Sequence, residues 1–329
     1  MRTYRAVNTR QYPGATVRRL PDTVERQGTM TQNNTEDTVA LIGAGAIGLS
    51  IASAYTRKGA HVVVCGGHTP IERISVTEGE QSQSWPVTHT DDPSAIAGVK
   101  TVILAVKAHQ TESAASWITA AASPSTTILV AQNGIEHARR VSPYSGESHI
   151  VPAIVYLNVE RTEPGHALLR RAGDHDLSLP DTPAARRMAD ELIAGGMRMR
   201  LEDDFPRTAW LKLLVNLTAN PLTALTGRRA EVIREPGITE LARQIMREAQ
   251  QVAQAEGVHL EPSDVETELD WLMHVPAGST SSMRQDRLAG KPLEYDALTG
   301  AVVRAAERHG IETPANRMIL ALLAAIRPA

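Results

Sequence analysis

The sequence predicts an α/β protein, with a doubly wound parallel sheet in its N-terminal half and an all-helical C-terminal domain. Two observations carry that expectation. A glycine-rich turn, Gly43-Ala44-Gly45-Ala46-Ile47-Gly48, stands between a strand pattern and a helical one. Beyond about residue 203 the strand patterns stop, and long helical periods broken by glycine and proline take over.

Bulk properties narrow the class. The 329 residues, 42% of them hydrophobic, suffice for two domains with substantial cores. A formal charge of -3 gives no electrostatic reason to expect nucleic acid or an anionic membrane as partner. No apolar run approaches the roughly 18 residues of a membrane-spanning helix. The single cysteine, Cys65, excludes an internal disulfide framework and a cysteine-rich metal site, and its place at the end of an apolar run suits a buried small hydrophobe. The expectation is a soluble, cytoplasmic protein without a metal.

Residues 1–36 differ in character. Arg2, Arg5 and Arg10 precede the first acid, but Asp22 and Glu25 do not suit an organellar transit peptide, and no apolar segment marks a secretory signal. This stretch is expected to be a disordered extension, or to lie upstream of a working start at Met30. The domains then run over 37–203, a dinucleotide-binding domain, and 204–329, a helical substrate and catalytic domain.

The elements follow in order. A strand over Val39–Ile42 enters the glycine turn, a helix follows and ends at Gly59, and a second strand covers His61–Cys65. This strand–GxGxxG–helix–strand context is what a Rossmann-type dinucleotide fingerprint requires. The glycines allow a tight turn and close backbone approach to a pyrophosphate, which the helix N-terminus favours. Gly43, Ala44, Gly45, Ala46, Ile47 and Gly48 are therefore cofactor-binding candidates. NAD sites usually place an acid after the second strand, whereas this chain reads Cys65-Gly66-Gly67-His68-Thr69. That leans toward NADP, with His68, Thr69 and Arg73 available to a 2′-phosphate. The lack of an arginine at the strand end leaves NAD open.

Two further strand patterns end in polar residues: "TVILAV" before Lys107, and "TTILVAQ" before Asn133-Gly134. Ligands of doubly wound sheets lie beyond the carboxyl ends of the strands, so Lys107 and Asn133 fall where a nicotinamide and its substrate would meet. Strand-like runs "HIVPAIVYLNV" and "HALLRRA" and a helix over Pro183–Ala194 complete this half.

The C-terminal half opens with Asp204 as an N-cap and Pro206 in a first helical turn. Helices are expected from about Ile238 to Glu256, from Ser263 to Met273, after "STSS", through "KPLEYDALTGAVVRAAERHG", and from Pro314 to Ile326. The first helix, "WLKLLVNLTANPLTAL", carries Lys212, Asn216 and Asn220 at intervals of four, within roughly an 80° arc of an otherwise apolar surface. Such a stripe must face water, a polar network or a ligand. An α/β domain followed by a helical one leaves a cleft as a ligand site, and the stripe begins at that junction. A desolvated Lys212 can supply a proton to the alkoxide formed when hydride reaches a ketone. Asn216 and Asn220 suit a substrate bearing hydroxyl and carboxylate groups.

The order GAGAIG, "AVKAHQT", "QNG", "WLKLLVNLTANPLTAL", "SSMRQD", "GKPLEYDALTG" resembles the ketopantoate reductase (2-dehydropantoate 2-reductase) family from about residue 38 to 325. The resemblance implies NADPH-dependent reduction of 2-dehydropantoate to pantoate, on the way to pantothenate and coenzyme A. It implies Lys212 as proton donor, Asn216 and Asn220 as substrate ligands, and Asn133 beside nicotinamide and substrate. It further implies Lys107 on the cofactor, Ser282 on the substrate carboxylate, and Glu294 near the lysine and cofactor. Two departures stand out: Gly67-His68 replaces the family's frequent arginine, and "TGRRAE" replaces an asparagine beyond Asn220.

The sequence also admits a reductase or dehydrogenase of another branched 2-oxo or 2-hydroxy acid, including a mandelate-type enzyme, or a non-catalytic NADP-binding sensor. An opine-type dehydrogenase would want a His-Asp pair, and His259, His274 and His309 show no convincing partner in sequence. The expected partner is a small 2-oxo acid, and the helical domain offers a surface for a homodimer.

Overall fold

A computed structural model describes residues 38–171 and 173–327. The extension expected over residues 1–36 lies outside the described residues. The chain divides into two compact units. One contains the described residues up to Gln132 together with His137–Phe205; the other contains Asn133–Glu136 and the residues from Pro206 onward.

The first unit is built on β1 (Thr38–Ile42), α1 (Ala46–Arg57), β2 (His61–Cys65), the hairpin β3 (Arg73–Glu78) and β4 (Gln81–Pro86), and β5 (Thr88–Thr90). Then come β6 (Thr101–Leu104), α2 (Ala115–Ala121), β7 (Thr127–Val130), α3 (His137–Val141) and β8 (His149–Pro152). Short strands β9 (Ile154–Val155), β10 (Val159–Glu163), β11 (His166–Leu169) and β12 (Leu177–Pro180), helix α4 (Pro183–Ala194) and strand β13 (Met199–Glu202) complete it. The main sheet has the order β5-β2-β1-β6-β7-β8, and every pairing in it is parallel. Counting only its own strands, that is the 3-2-1-4-5-6 order of a doubly wound dinucleotide fold.

Side-chain alternation covers the sheet on both faces. Val39, Leu41, Ile103 and Leu129 join a core completed by α1 and α4 through Ile51, Tyr55, Met188 and Leu192. Their neighbours Ala40, Ile42, Val102, Leu104, Ile128 and Val130 join the opposite core, with Ile118 of α2 and Val141 of α3. Cys65 is buried there, and burial pushes its thiol up to about 12. Two small sheets flank this body, β10-β11-β3-β4 and β13-β12-β9. Strand β4 is an edge strand, and Gln81, Ser82, Gln83 and Ser84 along it are all exposed.

The second unit is helical: α5 (Phe205–Thr226), a 3-10 turn at Ala230–Arg234, α6 (Pro236–Ala255), α7 (Pro262–Met273) and α8 (Ser282–Leu288). A π-helical turn at Asp296–Gly300 then runs into α9 (Ala301–His309), and α10 (Pro314–Ala324) follows. On α6, Ala242, Ile245, Met246, Ala249, Val252 and Ala253 form one apolar stripe at helical spacing, buried against α5, α7, α9 and α10. Among the described residues, no helix is long and apolar enough to cross a membrane, and no cluster of three metal-ligating side chains occurs.

A buried carboxylate fixes one helix end in this unit. Glu248 of α6 accepts from the backbone N–H groups of Ala315 (2.9 Å) and Asn316 (3.0 Å) and from Asn316 Nδ2 (2.8 Å). Its charge meets the positive end of α10 and satisfies two N–H groups that the helix itself cannot. Glu248→Ala is expected to lower the stability of the helical unit by roughly 3 kcal/mol, because it leaves those donors buried. Urea unfolding followed by far-UV dichroism would measure it, and a change below about 1 kcal/mol would mean that water serves the helix end instead.

His137, fully enclosed at the start of α3, donates from Nε2 to the Gln132 carbonyl (2.9 Å). Burial pushes its pKa down to about 4, helped by the charge of Arg140 and opposed by the bond to Gln132. Between the ordinary value of roughly 6.5 and about 4, the unfolded chain takes up a proton that the folded chain refuses. Stability should therefore be indifferent to this group above that window, and fall by on the order of 3 kcal/mol as pH drops through it. Urea midpoints at several pH values should show a steeper acid decline for the wild type than for His137→Gln, and parallel profiles would refute the assignment.

Candidate functional site

The glycine turn between β1 and α1 gives its three glycines separate duties. Gly43 has φ 101°, and a Cβ there would stand 2.4 Å from Val106 N and 2.6 Å from Ala105 C. The turn is thus pressed against the backbone that leaves β6. Gly48 lets α1 pack onto the sheet, since a Cβ would lie 2.2 Å from Gly43 O and 3.0 Å from Leu41 Cδ1. Gly45, by contrast, has nothing within 4 Å of where its Cβ would be. It is also the N-cap of α1, and no side chain caps that helix. Open space therefore meets uncapped N–H groups and the positive helix end, flanked by Ala44, Ala46 and Ile47. That arrangement fits the pyrophosphate of a dinucleotide.

Lys107 follows β6 directly and is half-buried at the head of the short turn Ala108–Gln110. Its backbone N–H donates to Gln110 Oε1 (3.2 Å). Gln132, buried at the end of β7, holds the same loop: its Nε2 donates to Val106 O (3.1 Å) and to Thr111 Oγ1 (2.9 Å). At the end of β2 come Gly66 (φ 61°) and Gly67 (φ 110°), followed by His68, which is exposed. No carboxylate stands at that strand end.

The remaining predicted site residues, Asn133, Lys212, Asn216, Asn220, Ser282 and Glu294, all belong to the helical unit. On α5, Lys212 and Asn216 are half-buried and Asn220 is buried. Burial draws the Lys212 pKa below the ordinary lysine range, while the charge of Glu268 on α7 opposes that shift. Pro221 inside α5 has no N–H to give Leu217, so the helix loses one internal bond where the stripe ends. There Asn220 Oδ1 accepts long contacts from Ser282 Oγ and Met283 N, both 3.4 Å, and Thr223 Oγ1 meets Ser281 Oγ at 2.7 Å. Ser281 caps α8 through Arg284 N (3.1 Å). The last turns of α5 thus hold the start of α8, where Ser282 is exposed.

Glu294, buried just before the π-helical turn, accepts from Asn133 Nδ2 (3.0 Å). The structure therefore joins Asn133 with Glu294, and Asn220 with Ser282. Three contributors were missed in sequence. Glu268 sits on the apolar stripe of Val265, Leu269 and Leu272, and a carboxylate at a core-facing position was the available signal. Gln132, through Val106 and Thr111, and Glu136, whose Oε2 accepts from Arg304 Nη2 (2.7 Å), act through partners distant in the chain and carry no local signal.

The family model described as "Ketopantoate reductase PanE/ApbA" matches residues 39–183, and its C-terminal counterpart matches 204–327. A 2-dehydropantoate 2-reductase from Mycobacterium tuberculosis is 36% identical over 289 residues, covering 87% of this chain and 97% of the relative. A Caulobacter vibrioides protein of the same name is 33% identical over 288 residues, covering 87% and 97%. Among solved structures, a PanE/ApbA family ketopantoate reductase from Ralstonia eutropha superposes with a TM-score of 0.79 at 30% identity, covering 87% of this chain and 97% of that one. A dimeric ketopantoate reductase from Staphylococcus aureus gives a TM-score of 0.76 at 28% identity, covering 88% and 98%. The chain belongs to the ketopantoate reductase family of NAD(P)-dependent oxidoreductases.

Proposed function

We propose that this protein reduces 2-dehydropantoate to pantoate with NADPH, as a step toward pantothenate and coenzyme A. The observation that carries this reading is Lys212: an amine drawn below its ordinary range by burial, in line with two amides on one helix. The relatives named 2-dehydropantoate 2-reductase support the substrate.

The glycine turn would hold the cofactor pyrophosphate through the N–H groups at the start of α1. Lys107 would contact the cofactor, and His68 with Thr69 would meet the 2′-phosphate, where an acid would repel it. Bound NADPH supplies the hydride. As the C2 ketone oxygen gains negative charge, the Lys212 ammonium neutralises it and donates its proton there. Asn216 and Asn220 would bind the substrate's polar groups, with Asn220 also presenting Ser282 to the carboxylate. Asn133, held by Glu294, would stand by the nicotinamide and the reacting carbon. Glu268 would keep Lys212 charged despite burial, since its charge opposes the lowered pKa. A homodimer accords with the dimeric relative and with Met318 and Leu322, exposed one turn apart on α10.

The test is loss of reduced-nicotinamide absorbance with 2-dehydropantoate and either NADPH or NADH. Wild type should oxidise NADPH, and Lys212→Ala should lose about 100- to 10,000-fold in kcat. Faster turnover with NADH would overturn the cofactor assignment. Inertness with both cofactors would overturn the substrate, and a panel of branched 2-oxo and 2-hydroxy acids would then identify a sibling reaction.

The lowered pKa of Lys212 sets the pH dependence. The proton donor must be charged, so kcat should fall as pH rises through that pKa, on a limb below the roughly 10.4 of an ordinary lysine. A profile flat up to pH 10 would remove Lys212 from the proton-transfer step.

A further inference from the structure

The segment Asn133–Glu136 belongs to the helical unit, although it interrupts the chain of the nucleotide unit. Groups before and on the π-helical turn and on α9 hold it there. Arg304 Nη2 donates to Glu136 Oε2 (2.7 Å) and to Asp296 O (3.0 Å), and Nη1 donates to Asp296 Oδ1 (2.5 Å). Glu136 is three residues after Asn133, and Asp296 is two residues after Glu294. Asn133 Nδ2 closes the circuit on Glu294 Oε2 at 3.0 Å. One guanidinium therefore ties together the two backbone segments whose ends carry Asn133 and Glu294. Ile135 packs on the helical core between these polar ties.

The local backbone is shaped for this fork. A Cβ on Gly300 would come within 2.8 Å of Asp296 Oδ1 and 3.1 Å of Arg304 Nη1, so glycine leaves the pair its passage. The wide π-helical turn at Asp296–Gly300 is of the kind found at functional sites. Arginine alone among cationic side chains offers planar donors able to serve two carboxylates and a carbonyl at once.

We propose that Arg304 is a positioning residue, which fixes Asn133 against Glu294 by bridging Glu136 and Asp296. The proposal builds on the reductase reading for its kinetic consequence, but its structural core is independent of that reading. Arg304 acts through Glu136 and Asp296 on Asn133, which the proposed function sets beside the reacting carbon, so its loss should reduce the chemical step more than cofactor affinity.

The experiment combines kinetics with amide hydrogen exchange on the full chain, using Arg304→Ala, Arg304→Lys, Glu136→Gln and the double variant Glu136→Gln with Arg304→Ala. Arg304→Ala should lower kcat about tenfold, leave the NADPH dissociation constant within about twofold, and speed exchange across residues 133–136. Arg304→Lys keeps the charge and stem but not the fork, and should also speed exchange there. The double variant should be no worse than Arg304→Ala, since both substitutions break one circuit. Unchanged exchange over 133–136 in Arg304→Ala overturns the proposal, as does multiplication of the two single effects on kcat. If wild type itself turns over no 2-dehydropantoate, the reductase reading falls, and the exchange data alone decide the role of Arg304.

Discussion

The α/β unit depends on one close approach: the backbone of Gly43 against that of Ala105 and Val106, with no room for a side chain between them. The approach is what brings a helix N-terminus and the loop after β6 to the same end of the sheet. Ala105 N also donates to Ile42 O (2.8 Å), so the two strand ends stay hydrogen-bonded beyond the regular ladder. Gln132 then grips Val106 O, and His137 grips the Gln132 carbonyl. Three neighbouring strand ends are thereby tied to one another through buried polar bonds. A loose version of any of these would let the glycine turn between β1 and α1 drift.

In the helical unit the ordering principle is different. Its buried carboxylates each have a defined task among polar partners. Glu248 terminates α10, Glu294 holds Asn133, and Glu268 acts on Lys212. Buried charge costs stability unless it is paired, and here each cost fixes a helix end or a side-chain orientation. Pro221 belongs to the same pattern: it sacrifices one helical bond at the point where α5 turns its polar groups toward the start of α8.

Much of this was legible in the sequence because it is local. The strand–glycine–helix context, the strand His61–Cys65 and the helix Pro183–Ala194 appear as read, since short-range period and turn chemistry determine them. The Lys212–Asn216–Asn220 stripe was visible from spacing alone. The β3–β4 hairpin was not, because β4 reads Gln-Ser-Gln-Ser on an exposed edge and has no apolar alternation. The run "KPLEYDALTGAVVRAAERHG" was read as one helical stretch, but it is irregular up to the π-helical turn, where Asp296 turns back to Arg304. Asn133–Glu136 read as a turn after a strand; its membership of the helical unit rests on partners more than 150 residues away in the chain. Pairing at that range leaves no mark on local sequence pattern.

Cys65 has a consequence of another kind. With its thiol buried and pushed up to about 12, almost none of it is thiolate near neutral pH, and the thiolate is the form that oxidants and alkylating agents attack. It is also the chain's single cysteine. The folded protein therefore offers no ready thiol for disulfide exchange or electrophilic labels. An oxidoreductase of this family thus handles electrons through its cofactor while its own thiol chemistry stays silent, and oxidative stress reaches that thiol only by way of unfolding.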